Sequence, residues 1–308
     1  MPCFVEDKVC LIKCSRRKFV FLEESAQQKK MRSRGKGVDR KSGRIFHSVI
    51  LCLLLTWTMP LCVQAAAKGE DTLPPHLIQS VTQQEIYEGI VALGMLQCPV
   101  LKVSDCEKAF ENVKECVVRV NMGNAYGSGI VWEMTEESVI VATNRHVLDY
   151  WQETDSFLYF QQGHYVDAYI VGVSGKYDVG FLSVDNGQFT YDELEELRSI
   201  AMDQSAYEQL DSGDEMFCVG AGPGPEVGEL LFHKAKLEER ARYIEEFGTE
   251  MLYGYGFART GMSGGGIFDG YGHLIGMVTG GTLQNEVAGV PLPAIVEAYQ
   301  EIVCCQTE

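Results

Sequence analysis

The stretch "GMSGGGIFDGYGHLIGMVTGG", residues 261–281, decides how the rest of the chain is read. Its first six residues set a single serine, Ser263, beside Met262 and four glycines. Glycine gives up the most backbone freedom on folding and costs a strand or helix interior about 0.5–1 kcal/mol relative to alanine. Such a run is favoured only where the backbone takes unusual angles or lies very close to something. Two readings compete: a flexible tight turn, or a nucleophile loop whose exposed N–H groups face a developing negative charge. Residues elsewhere in the chain separate them.

A serine hydroxyl is a weak nucleophile and needs a base within hydrogen-bond reach, itself oriented by a carboxylate. Upstream, "VIVATNRHV" ends a strong strand pattern and presents His146 at the turn. "GKYDVGFLSV" presents Asp178 at the start of another. An aspartate opening a strand is common turn chemistry, but this one lies between the other two motifs. The order His146, Asp178, Ser263 is one of three known chain orders for the same catalytic geometry, the chymotrypsin-type order.

Together "GSGIVW", "VIVATNRHV", "YDVGFLSV" and the glycine-rich stretch resemble the protease domain of the trypsin-like HtrA (Deg) family of exported serine proteases, over residues 113–298. The resemblance implies an all-β fold of two packed antiparallel β-barrels, chymotrypsin-like, with the site in the cleft between them. It implies His146 as general base, Asp178 as its orienting carboxylate and Ser263 as nucleophile. The backbone N–H groups of Gly261 and Ser263 would form the oxyanion hole. Thr279 matches the position that supports the aspartate, and Gly280 and Gly281 follow on the edge where a peptide substrate would pair as an added strand. A trypsin-like pocket carries a carboxylate six residues before the serine. That position is Phe257, followed by Ala258, so the expectation is an apolar pocket for a small or medium aliphatic side chain. Met262 stands where the family has Asn or Asp, Gly266 where it often has Pro, and Arg145 where a small residue is common. Only 45 residues follow Ser263, enough to finish a barrel and a helix, so the family's PDZ domain is not expected.

Charge and hydropathy set the context. Residues 1–44 hold 13 Lys and Arg against 5 Asp and Glu, a net of +8, which leaves −25 on the remainder of a −17 chain. Residues 45–63, "IFHSVILCLLLTWTMPLCV", are uncharged and are followed by "QAAAK". A basic region, an apolar run and a small-residue site are the order of an export signal; nineteen apolar residues are also just long enough for an anchor. Met31 opens an n-region of ordinary length. Either reading places the bulk of the chain outside the membrane, secreted or anchored through residues 45–63. The acidic remainder argues against nucleic acid as a partner and favours protein or peptide substrates with unfolded or basic segments. The family resemblance also allows a homo-oligomer. Six cysteines follow residue 67, none spaced C-x-x-C, so no zinc site and no other metal or cofactor is expected. Buried thiols with one or two disulfides are the expectation.

The domain reading is a basic region at 1–44, a signal or anchor at 45–67, and a linker with helical extension at 68–112. A protease domain at 113–300 and a tail at 301–308 complete it. Within the extension, residues 76–97 are amphipathic enough for a helix, and Ser104 with Glu107 form a capping-box pattern. Short β-branched and aromatic runs broken by Gly, Asn and Asp turns follow. An acidic helix is expected over 191–202 and a C-terminal helix begun by Pro293. His76, His164, His233 and His273 stand in no constellation. Two function classes remain: an exported serine endopeptidase, or a protease-like fold that binds peptides or acts as a chaperone with little or no hydrolysis. Met262 is the residue that keeps the second open.

Overall fold

The structure, a computed structural model, describes residues 82–222 and 229–304. The basic region, the apolar run 45–63, most of the Gly-Pro loop at 222–225 and Cys305 lie outside the described residues. Among the described residues no helix is long and apolar enough to cross a membrane.

Seven strands form the first sheet: β1 (Val117–Met122), β2 (Ala125–Met134), β3 (Ser138–Thr143), β4 (Ser156–Tyr159), β5 (Tyr165–Val166), β6 (Tyr169–Val173) and β7 (Gly180–Asp185). They run in the order β5-β4-β1-β2-β3-β7-β6, antiparallel throughout. β3, "SVIVAT", lies between β2 and β7 and is buried over five of its six residues, as expected of a β-branched run covered on both faces. Six more strands close into a barrel: β8 (Glu215–Ala221), β9 (Leu230–Ile244), β10 (Thr249–Gly256), β11 (Gly266–Asp269), β12 (Leu274–Gly281) and β13 (Glu286–Pro291), in the order β10-β13-β12-β11-β8-β9. The two-barrel expectation therefore takes the form of one closed barrel and one open half-barrel. They meet where β1 and β2 lie against β8, and that seam carries the site.

The helices are α1 (Gln83–Ala92), α2 (Cys106–Val113), α3 (Arg145–Leu148), α4 (Tyr191–Leu194), α5 (Gln204–Glu208) and α6 (Leu292–Cys304). Residues 76–81, His76 included, lie outside the described residues; Thr82 and Glu85 form a capping box that starts α1, which ends at Ala92, short of the amphipathic pattern's end at 97. Its buried Tyr87 and Ile90 make residues from 82 onward part of the packed body. α2 is capped by Asp105, which accepts from the Lys108 N–H. Ser104 is packed against Gly270 instead. The acidic helix foreseen over 191–202 is a single turn capped by Thr190 and Glu193. Beyond it Ser199 pairs with Gln97 and Ala201 with His273, and those bridges hold the chain extended. α6 begins one residue before Pro293, where a proline fits a first helical turn.

Cys98, Cys106, Cys116 and Cys218 are free thiols, all buried, so none of the expected bridges is made among them. Burial pushes the Cys218 thiol up to about 12. Trp132 packs on Phe181 and Tyr299, a core residue.

Candidate active site

β3 ends at Thr143, and Asn144 leads into the single turn of α3. Val147 and Leu148 anchor that turn by burial, which leaves His146 at the mouth of the seam, about a quarter exposed. Asp178 precedes β7. One of its carboxylate oxygens accepts the His146 backbone N–H at 2.9 Å and the other lies 2.7 Å from His146 Nδ1. The pair is thus held by two hydrogen bonds, one to the ring and one to the chain behind it.

Several contacts fix the loop that carries Asp178. The Asn144 side-chain amide donates to the Asp178 carbonyl at 2.9 Å and to Thr279 Oγ1 at 3.3 Å. Ser174 Oγ accepts the Lys176 and Tyr177 N–H groups. The Arg145 guanidinium donates to the Ser174 carbonyl at 3.1 Å. Arg145, out of place by family pattern, thus ties the histidine turn to the aspartate loop. Thr279 is linked through Asn144 to the Asp178 main-chain carbonyl.

Ser263 sits on the loop between β10 and β11, and its Oγ donates to the Thr279 carbonyl at 3.3 Å. The loop opens with a turn in which the Met262 N–H donates to the Arg259 carbonyl at 3.0 Å. Gly261 is third in that turn, with φ of 90°, the position and sign of a type II turn that excludes most side chains. A Cβ on Gly261 would also collide with the Tyr126 ring. Among the described residues no acceptor engages the Gly261 N–H or the Ser263 N–H. Buried or half-buried backbone donors are nearly always paired, so two unengaged donors beside a serine set this loop apart from the strands around it. Met262 is fully buried, and its sulfur accepts the Arg259 N–H at 3.4 Å. The thioether does part of what a polar side chain would do there.

A family model for the trypsin-like peptidase domain matches residues 127–277. That segment is similar to the trypsin-like peptidase domain. The chain's fold is shared with a serine-to-alanine variant of the HtrA-type protease AlgW solved with a tripeptide, at 18% identity and TM-score 0.54 over 65% of this chain. The chain spans 64% of the length of that protease. A second likeness is to Rv3671c from M. tuberculosis H37Rv, a serine-to-alanine mutant in an inactive form: 17% identity, TM-score 0.51, 68% of this chain and 98% of that one. No curated protein matches the chain.

The residues expected to set specificity, Phe257 and Ala258, differ in their surroundings. Phe257 is 46% exposed, its ring between His233 and Arg259, so it does not form the floor of an enclosed pocket. Ala258 is nearer the edge: a Cβ on Gly281 would lie 2.9 Å from its own. Pairing of β11 with β12 ends at Met277; beyond it Gly280 and Gly281 pair with β13, and the Thr279 carbonyl accepts Ser263 Oγ. Beside that edge a Cβ on Gly280 would touch the Phe247 ring, from the turn joining β9 and β10, at 3.4 Å. The sequence reading missed Phe247, Asn144 and Ser128. Ser128 and Asn144 carried a signal, their places inside "GSGIVW" and "VIVATNRHV"; Phe247 carried none.

Among the described residues no group of His, Cys, Asp and Glu could hold a metal ion. A separate histidine–aspartate pair does occur, His273 Nδ1 to Asp269 at 3.0 Å. Asp269 also accepts the Tyr271 and His273 N–H groups, which makes the pair the clasp of the β11–β12 hairpin.

Proposed function

We propose that the chain is a serine endopeptidase acting outside the membrane on proteins or peptides. The observation that carries the reading is the doubly bonded His146–Asp178 pair, tied through Asn144 to Thr279, whose carbonyl accepts Ser263 Oγ on a loop with unengaged Gly261 and Ser263 N–H groups. Ser263 Oγ attacks the scissile carbonyl carbon as its proton passes to His146, and Asp178 stabilises the imidazolium. The carbonyl oxygen, now negative, is met by the two free N–H groups, each worth about 3 kcal/mol of transition-state stabilisation. His146 then returns the proton to the leaving amine as the C–N bond breaks. Water, deprotonated by His146, releases the acyl group from Ser263 and restores the hydroxyl. The edge at Gly280 and Gly281, paired with β13, suits an extended substrate strand. The basic region and apolar run at the start of the sequence support export, and the acidic charge favours basic or unfolded substrates.

One observation favours a second reading. Ser263 Oγ donates to the Thr279 carbonyl, a bond that holds its proton away from the base. A peptide-binding module with little hydrolysis would keep that bond. Fluorophosphonate labelling of the full chain beside Ser263→Ala and His146→Ala separates the two. Labelling of the parent alone supports the hydrolase. A folded parent that does not label overturns it and leaves the binding module.

A further inference from the structure

Ser128 lies on β2, fully buried, and every polar group it owns is spent on the seam. Its Oγ donates to the Gly261 carbonyl at 2.6 Å and accepts the Ala221 N–H at 2.7 Å. Its N–H donates to the Ser263 carbonyl at 2.8 Å. Its own carbonyl accepts Thr143 Oγ1 at 2.7 Å. A residue 133 positions away in the chain therefore holds both glycyl and seryl carbonyls of the nucleophile loop.

The consequence follows from the order of peptide planes. The Gly261–Met262 plane is held at its carbonyl by Ser128 Oγ and at its N–H by the Arg259 carbonyl. The Ser263–Gly264 plane is held at its carbonyl by the Ser128 N–H and at its N–H by the Val278 carbonyl. The plane carrying the Ser263 N–H lies between these two, and the plane carrying the Gly261 N–H adjoins the first. Peptide planes are rigid and only φ and ψ are soft. Fixing alternate planes at both ends therefore aims the donors in the others. From this we infer that Ser128 is a positioning residue for the oxyanion hole. It sets the direction of the Gly261 and Ser263 N–H groups without touching substrate, a role that rests on the hydrolase reading above. Donors aimed in advance stabilise charge without reorganising at the moment of reaction.

The test compares p-nitrophenyl acetate with its thiono analogue on the full chain, as parent, Ser128→Ala and Ser128→Cys. Sulfur is a weak hydrogen-bond acceptor, so the thiono ester draws little from the hole. Acylation by the oxo ester is expected to fall about 10- to 100-fold in Ser128→Ala, less than the loss for deleting a donor outright. Acylation by the thiono ester is expected to fall less than about 3-fold, since only the donors have moved. Ser128→Cys keeps the side-chain volume with weaker bonds and falls between, and it decides the matter if Ser128→Ala does not fold. Equal losses on both esters, or none, in a folded variant would overturn the inference while leaving the hydrolase reading intact. A parent inert to both esters would overturn that reading and the inference with it.

Discussion

Gly264→Ala is the sharpest test of why the nucleophile loop is built from glycine. Gly264 has φ of 87°, and a Cβ there would overlap the Ser128 carbonyl oxygen and the Thr143 hydroxyl. Left-handed backbone costs alanine about 1–2 kcal/mol, and alanine regains about 0.4–1 kcal/mol by stiffening the unfolded chain. The overlap adds about 1–3 kcal/mol, because the neighbour is backbone and cannot swing aside. Displacing Thr143 Oγ1 from the Ser128 carbonyl costs about 1 kcal/mol more. The sum is about 2–5 kcal/mol. Gly123 supplies the control: its φ is 60°, yet nothing lies within 4 Å of a Cβ built on it. Gly123→Ala should therefore show the strain without the overlap, about 1 kcal/mol.

At about 2–4 °C per kcal/mol for a domain of this size, Gly264→Ala should melt roughly 4–20 °C below the parent and Gly123→Ala roughly 2–4 °C below. Thermal unfolding followed by circular dichroism reads both. Fluorophosphonate labelling should slow at least about 10-fold in Gly264→Ala, whose clash falls on the carbonyl side of Ser128, and stay near the parent in Gly123→Ala. Melting points within about 2 °C of each other would refute the close-approach explanation and leave conformational freedom alone as the reason for the glycine.

Four further outcomes are expected. Arg145→Ala removes the bond to the Ser174 carbonyl; stability should fall by about 1 kcal/mol and labelling by a few-fold, read as melting point and labelling rate on one preparation. Met262→Asn puts an amide where a fully buried thioether now sits, and the lost burial plus one unsatisfied donor should cost about 3–5 kcal/mol, seen in urea denaturation. The Asp269 carboxylate bonded to His273 raises that imidazole above its ordinary 6.5. Its contribution is therefore full below pH 6.5 and lost as pH rises through the folded value. The melting-point gap between parent and His273→Gln should be wider at pH 5.5 than at pH 8.5. Burial pushes Cys218 up to about 12, so a disulfide reagent at pH 8 should modify it only as fast as the protein unfolds.

What the sequence made legible is what short segments encode. β3 matches its sequence run to within a residue, since it is a β-branched run ended by a turn residue. β9 escaped notice although it is the longest strand, 15 residues. Its "KAKLEERARYI" alternates, but the outward half is charged, and charge in a strand reads as helix or loop unless the inward Ala235, Leu237 and Ile244 are followed at every second or odd-numbered step. The 191–202 segment failed the other way. Its acidic composition suits a helix, and two tertiary bridges at Ser199 and Ala201 hold its second half extended, a case of long-range pairing overriding local propensity.

The same division runs through the site. His146, Asp178 and Ser263 were readable because each lies inside a motif whose flanks are local. The residues that aim them were not. Ser128 acts on Gly261 across 133 positions, Asn144 on Thr279 across 135, and Arg145 on Ser174 across 29. Each contributes one hydroxyl, amide or guanidinium whose partner is a carbonyl or hydroxyl, and a main-chain carbonyl has no signature in the sequence. Met262 shows the converse. By pattern it is a departure that threatens the loop, whereas in the fold its sulfur meets the Arg259 N–H and its body fills a closed slot. A motif therefore identifies the chemistry, and the preorganisation that gives chemistry its rate is distributed over residues that only the closed seam brings together. On that view substitutions at Ser128 and Asn144 should slow acylation more than they lower stability. Substitutions at core positions of similar burial, such as Val118 or Ile267, should do the reverse.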